Sequence, residues 1–437
     1  QEPETTEPAA MAASPQRQAT DERPAVKGWT LQECLDYALE NNIQLQQSRN
    51  DHLSGLEDTE AARAAMLPSL SASTTQALTN YPSAEAVDNN SYTGTYGITA
   101  GITVFEGGRL RTALQRQQTQ NRMDALTVDE TANDIRIAIV QAYMQTLYAL
   151  EAVEVARSTV EVSSAQRDRA EQMLQAGSIS KVDLAQLESQ LASDRYQVVA
   201  AQATLDDCKL QLKQLLELDI MDEIEVVSPD RSYAEVMRML PDKAAIYDKA
   251  LEAMPEIARG ALAVEAAELD VKQAQAGYWP SVSLTASLGT GHISGENQQT
   301  GTQVWNRFNE SLGLTISIPI FSNRQNRTAV NKARLAVENS RLSQLDLEKT
   351  LLREVESAYL DAVSAQSQYV AAVEKQRYAQ QSYDLTDEQF RVGMKNTVEL
   401  ITAQNELTAA RQEVLQAKYM ALMNLNLLDI YQGNEIQ

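Results

Sequence analysis

Tyr92-Thr93-Gly94-Thr95-Tyr96-Gly97-Ile98-Thr99-Ala100-Gly101-Ile102-Thr103-Val104-Phe105 alternates along its whole length. One face reads Tyr92, Gly94, Tyr96, Ile98, Ala100, Ile102, Val104; the other reads Thr93, Thr95, Gly97, Thr99, Gly101, Thr103. A period of two marks a strand, because successive side chains leave opposite faces of the pleat. Ordinary strands run to about 5–6 residues. A longer one, with one apolar and one small polar face, fits a tilted membrane strand of about 9–11 residues or more, apolar face outward and polar face inward.

Three more segments share the pattern. After Pro68, Leu70, Ala72 and Thr74 oppose Ser69, Ser71 and Ser73. After Pro280, Val282, Leu284, Ala286 and Leu288 oppose Ser281, Ser283, Thr285 and Ser287. Leu312, Leu314, Ile316, Ile318 and Ile320 oppose Ser311, Gly313, Thr315 and Ser317. A polar stretch, 80–91, and a Gly/Asn/Gln-rich stretch, 289–309, read as the joining loops. The expectation is two β-hairpins, at about 68–105 and about 280–321.

Helices flank both hairpins. Residues 322–392 contain no Gly and no Pro over 71 positions. Either residue inside a helix costs roughly 1 or 3 kcal/mol, so the stretch predicts one continuous helix. At about 1.5 Å per residue it reaches roughly 100 Å. Residues 109–176 form a second such stretch. Ala142-Tyr143 maps onto Ala358-Tyr359 (358 − 142 = 216), as do Gly177 onto Gly393 and Leu184 onto Leu400. The chain is therefore a duplicated unit.

Both long helices carry apolar residues at four-three spacing. The first reads Ile135, Ile139, Ala142, Thr146, Ala149, Val153, Ala156, Val160; the second reads Leu351, Val355, Ala358, Ala362, Ala365, Tyr369, Ala372. Return helices, at about 178–217 and about 396–430, continue the spacing, interrupted by Asp194 and Asn424. A period of 3.5 predicts helices wrapped as coiled coils, and the many Ala residues predict close backbones.

The rest of the chain follows from these landmarks. Residues 1–28, rich in Pro, Thr, Ala and Glu, read as a disordered extension. The first repeat spans 29–217 and opens with a helix capped by Thr30, with Glu33 completing a capping box. That helix is expected to run to about Met66, with Gly55 as a weak point. Residues 218–247 read as an irregular linker, 248–431 as the second repeat and 432–437 as a tail.

A net charge of −23 without a basic stripe argues against nucleic acid. There is no run of 18 apolar residues, so no transmembrane helix is expected. Gln1 suggests a processed start, though a cloning boundary reads the same way; no cysteine at residue 1 supports lipidation. Cys34 and Cys208 are the only cysteines, and Cys208, in a helical seam, is expected as a buried free thiol. His52, on a polar helix, and His292, at a loop tip, are the only histidines, with solvated surface roles expected. Neither sits in a metal or triad spacing, and no phosphate loop or nucleophile elbow occurs. No enzyme activity, cofactor or metal is expected.

Four strands cannot close a membrane barrel, which starts at about eight. Open edges in lipid leave backbone groups unpaired, at several kcal/mol each. Several chains must therefore share one barrel. Strand number alone leaves two, three or four chains open. All strand–helix junctions fall at one barrel mouth, so the long helices leave together and extend the cylinder. A soluble coiled-coil scaffold without transport activity is the alternative. It leaves the four alternating segments without a role.

The chain resembles the TolC-like outer-membrane efflux ducts of bacteria from Trp29 to about Tyr431. The resemblance rests on the duplicated half and on Trp29-Thr30-Leu31-Gln32-Glu33-Cys34-Leu35. It also rests on the Leu67-Pro68-Ser69 and Trp279-Pro280-Ser281 strand starts, Val104-Phe105-Glu106-Gly107-Gly108, and Ile318-Pro319-Ile320-Phe321. Two tip motifs complete it: 176–183, with Gly177, Ser178 and Asp183, and 392–399, with Gly393, Met394 and Glu399.

The resemblance implies an α+β membrane protein: a homotrimer with a 12-stranded outer-membrane barrel, a periplasmic coiled-coil tunnel and an equatorial belt. It implies a passive exit duct for tripartite efflux or type I secretion. The implied partners are a periplasmic adaptor, an inner-membrane pump reached through it, and outer-membrane lipid. It also assigns roles at the tip. Asp183 and Glu399 match the acidic ring of the aperture, while the ring's second acidic position is Thr402 here. Lys395 and Phe390 match lock positions, Phe390 lacking the hydroxyl. The turns with Gly177, Ser178 and Lys181, and with Gly393, Met394 and Lys395, are the expected adaptor-docking sites. First-turn acids favoured by the helix dipole remain the plainer reading of Asp183 and Glu399.

Overall fold

The computed structural model describes residues 28–81, 90–227, 233–296 and 298–434. The expected disordered extension at 1–27, most of the first hairpin loop, part of the linker with Pro229, and the last three residues lie outside the described residues.

Both halves share an order of two helices, two long strands and two long helices, the second with a short helix inserted between its strands. The first runs β1 (Gly28–Trp29), α1 (Leu31–Asn41), α2 (Ile43–Ala64), β2 (Ser69–Asn80), β3 (Asn90–Glu106), α3 (Arg109–Gln175) and α4 (Lys181–Leu215). A connector holds β4 (Glu225–Val226) and α5 (Tyr233–Val236). The second half runs α6 (Lys243–Ala253), α7 (Pro255–Ala276), β5 (Ser281–Ile293), α8 (Thr300–Asn306), β6 (Asn309–Ser317), α9 (Gln325–Arg391) and α10 (Thr397–Tyr431). At about 1.5 Å per residue, the 67-residue helices α3 and α9 each extend about 100 Å.

The four long strands form one antiparallel sheet, ordered β2-β3-β5-β6. Register aligns one continuous apolar face: Ala72 with Ile98 and Leu288, Ala100 with Ala286 and Leu312, Ile102 with Leu284 and Leu314. That face is exposed, with Leu312 at 76%. On the other face hydroxyls bond across strands, as Ser287 with Ser311 at 2.7 Å. β2 and β6 end the sheet, so each has one edge unpaired within the chain.

The helical seams bury the spaced residues. Ile135, Ile139, Ala142, Thr146, Ala149, Val153 and Ala156 are buried on α3, as are Leu351, Val355, Ala358, Ala362, Ala365, Tyr369 and Ala372 on α9. Near the waist, β1 pairs in parallel with β4, and the Tyr143 hydroxyl donates to Val227 O at 2.7 Å. Cys34 lies fully buried in this core, and burial pushes its thiol up to about 12.

Several expectations need correction. The opening helix is two helices, broken at Asn42, which C-caps α1 and N-caps α2. Its second-half counterpart is Met254 (254 − 42 = 212), followed by Pro255 at the first position of α7. The Asn42 side chain accepts from Gln44 N and Leu45 N. Asn42→Ala should therefore cost about 1 kcal/mol, read as a lower midpoint in thermal unfolding. α6 starts at Lys243, inside the expected linker.

β6 stops at Ser317, leaving Ile318 and Ile320 outside the strand, because Pro319 has no N–H for the ladder. Asn323 and Arg324 then take left-handed backbones, so α9 starts at Gln325 instead of at residue 322. The expected 289–309 loop is partly ordered, β5 running on to Ile293 and α8 following. A register shift between Thr103 and Phe105 pairs Phe105 with Val282, so Phe105 takes the apolar column assigned above to Val104. Cys208 is only half-buried.

Candidate functional site

The chain reverses twice at the end of its helices farthest from the sheet. Both reversals are built the same way. Gly177 and Gly393 sit at φ +74°, a left-handed backbone that side chains resist. A Cβ there would meet nothing within 4 Å, so conformation and not space requires glycine. Gly177 N donates to Leu174 O and Ser178 N to Met173 O; Gly393 N donates to Phe390 O and Met394 N to Gln389 O. These bonds satisfy the last carbonyls of α3 and α9.

The next helices start with reciprocal capping boxes. Ser180 and Asp183 cap α4; Asn396 and Glu399 cap α10. The two predicted ring acids are thus capping residues. Each has one further partner. Thr397, 1% exposed, donates its hydroxyl to Asp183 Oδ1 at 3.0 Å, joining the two turns. Glu399 pairs with Lys395 four residues earlier. Hydroxyl bonding from Ser180, then its backbone N–H, then the Thr397 hydroxyl, hold the Asp183 carboxyl below its usual range. The Lys395 ammonium and then the Asn396 N–H do the same for Glu399.

The other predicted lock residues behave differently. Phe390 is 3% exposed, packed inside the helical seam. Thr402 returns its hydroxyl to Val398 O, within its own helix. The predicted docking residues Gly177, Ser178, Lys181, Gly393 and Met394 are exposed, while Lys395 is half-buried. Val182, Val392 and Val398 add exposed apolar surface between them.

Sequence reading missed the ties between the two helical hairpins. Gln166 Nε2 donates to Tyr383 OH at 2.9 Å. Arg169 Nη1 lies 3.0 Å and Arg391 Nη2 2.5 Å from the buried Asp387 carboxylate. Gln404 donates to Ser163 and Asp194, and Gln190 to Asp194 and Asn405. With Asp183 and Thr397 these form a polar ladder up from the tip. The interruption of the seam at Asp194 was its one visible sign.

Both histidines depart from expectation. His292 lies on β5, paired with Gly94 and buried against the rings of Tyr92 and Tyr96. His52 is half-buried beside α3, its carbonyl accepting from Asn121. Among the described residues no cluster of His, Cys, Asp or Glu is placed to hold a metal, and no helix is long and apolar enough to cross a membrane.

The arrangement places two small turns, two acidic caps and exposed valines together at one end of the helices. Comparison with known proteins agrees with a conduit. The sequence profile described as Outer membrane efflux protein matches residues 34–217 and 246–434. The alkaline protease secretion protein AprF of Pseudomonas aeruginosa is 25% identical over 411 residues, covering 91% of this chain and 82% of AprF. The outer membrane protein TolC of Escherichia coli strain K12 is 22% identical over 408 residues, covering 90% and 80%. The CmeC outer membrane channel of Campylobacter jejuni has the same fold, with a TM-score of 0.77 at 19% identity, over 92% of this chain and 85% of that one.

Proposed function

Since the chain belongs to the outer membrane efflux protein family, an outer-membrane exit duct with a helical periplasmic domain, we propose that three copies close one 12-stranded barrel and that the tip turns gate it. One observation carries this: an exposed apolar sheet with both edges unpaired within the chain leads, through short connections, into two 67-residue helices. Edge pairing between copies satisfies the backbone, and lipid covers the apolar face. A scaffold in water would leave that face unburied.

At the tip, Asp183 and Glu399 from each copy gather near the common axis. Like carboxylates on an axis repel, and they attract cations. The ring has two acids per copy, one of them paired with Lys395. A periplasmic adaptor docks on the exposed Gly177 and Gly393 turns, with the valines beside them as its apolar contact. Docking parts the hairpins like an iris, and an inner-membrane pump drives cargo through.

The test is single-channel recording of Asp183→Ala with Glu399→Ala. Loss of block by multivalent cations, with higher conductance, is expected; unchanged block counts against the ring. The pH dependence has a definite sign. Both carboxyls titrate lower in the fold than their ordinary 3.8 and 4.5, so their charged form is favoured. What they contribute is complete above those ordinary values and is lost as pH falls through the lower folded ones. Cation block should therefore hold from neutral pH down into the carboxylate range and be lost below it, the capping bonds and the Lys395 pair opposing the mutual repulsion of the ring. Block that fades near neutral pH would assign it to other groups.

A further inference from the structure

The apolar face of the sheet changes character along its length. Toward the helices it is aliphatic, with Ala100, Ile102, Leu284, Ala286, Leu312 and Leu314. Beyond Ile98 and Leu288, toward the loops, the same face carries Gln76, Tyr92, Tyr96, Thr290 and His292. Glu310, opposite Leu288, marks the same boundary on β6. The polar groups there are joined. The Tyr92 hydroxyl donates to Gln76 Oε1 at 2.8 Å, and Gln76 Nε2 donates to the Tyr96 hydroxyl at 3.1 Å. His292 lies over Gly94 against both rings, with centroids 5.5 and 6.0 Å away.

α8 is pinned to this end of β5. Ile293 N donates to Gln303 Oε1 at 2.9 Å, and the Thr290 hydroxyl donates to Val304 O. Gln303 is buried, while two large rings stand out beside it: Trp305 at 83% exposure and Phe308 at 52%. Phe308 N bonds back to Trp305 O, which keeps the pair together. Phe308 has the parity of Leu312, the side of the sheet's apolar face.

Bare rings are costly in water, at about 25 cal/mol per Å² of apolar surface. Hydrocarbon penalises the polar atoms of phenol, imidazole and indole. Amphipathic rings meet both demands at headgroup depth. From Tyr92 to Phe105, β3 runs about 43 Å at about 3.3 Å per residue. Tilted at about 40°, it rises about 33 Å, the height of an apolar band of about 25 Å with a layer of rings at each end. We propose that α8 and the Tyr92–His292 cluster form a headgroup-contact surface. Trp305 and Phe308 seat in the polar headgroup layer of the outer leaflet and set how deep the sheet sits. The placement rests on the three-copy barrel proposed above and adds where the bilayer ends on it.

The test is Trp305 fluorescence of the full chain in phosphatidylcholine vesicles, with Trp29→Phe and Trp279→Phe removing the other two tryptophans. Acyl bromines near the headgroup should quench at least about twofold more than bromines near the chain ends, as headgroup depth requires. Iodide, present on both sides, should quench weakly. Ile98→Trp in a Trp305→Phe background checks the barrel itself and should answer to the deeper bromines. If Ile98→Trp answers to lipid while Trp305 answers to iodide, α8 stands in water and the proposal falls with the barrel intact. If Trp305 answers to neither quencher, protein covers it and the proposal falls as well. Iodide quenching at both positions overturns the barrel, and the headgroup surface with it. If the tryptophan-reduced protein does not assemble, the difference between the unaltered protein and Trp305→Phe reads the same depth.

Discussion

Ile98→Arg is expected to abolish the assembled duct. Ile98 lies midway along β3, cross-strand from Ala72 and Leu288, on the exposed apolar face. An Arg at the bilayer midplane of a barrel costs about 2–4 kcal/mol, and a three-chain barrel carries that cost three times. Thr99→Arg, one residue on, projects from the opposite face. It should assemble normally and shift conductance and ion selectivity, because that face meets water. Membrane fractionation and the heat-modifiable oligomer band read both. The barrel reading fails if the two variants assemble equally well.

Arg169→Ala with Arg391→Ala should loosen the tip more than loss of Asp387 does. Both guanidiniums are partly solvated, at 34% and 52% exposure, whereas the Asp387 side chain is at 10%. Deleting the arginines strands a buried carboxylate. Deleting the carboxylate leaves two cations that water can reach. Breaking a buried pair costs about 3–5 kcal/mol; solvent screening of the arginines lowers this to about 1–3 kcal/mol here. The double variant should leak, with frequent openings in single-channel records and uptake of large antibiotics by cells. Asp387→Asn should do so more weakly. The reverse order would show that the ladder is not what holds the hairpins together.

Periodicity made most of the fold legible. The Ala and Leu seams of α3 and α9 were readable because burial repeats with the helix turn, and the strands because theirs repeats every second residue. Local chemistry located the Gly177 and Gly393 reversals and the Thr30 cap. What failed was set by single backbone groups or by distant partners. Pro319 ends β6 within an alternation that runs on, and Asn42 breaks a helix that contains no proline. His292 looked like a loop residue because nothing in its neighbours reveals that Gly94 leaves room for its ring. The tip partners failed similarly. Asp183 and Glu399 were singled out by the family resemblance, but Thr397 and Asp387 act on residues more than two hundred positions away.

The bare margins of the sheet bear on biogenesis. A lone chain in the periplasm would present two backbone templates and a greasy plane, a combination that invites cross-β clumping. On the proposed three-copy barrel, insertion into the envelope coincides with partner capture, so maturation should slow steeply at low expression.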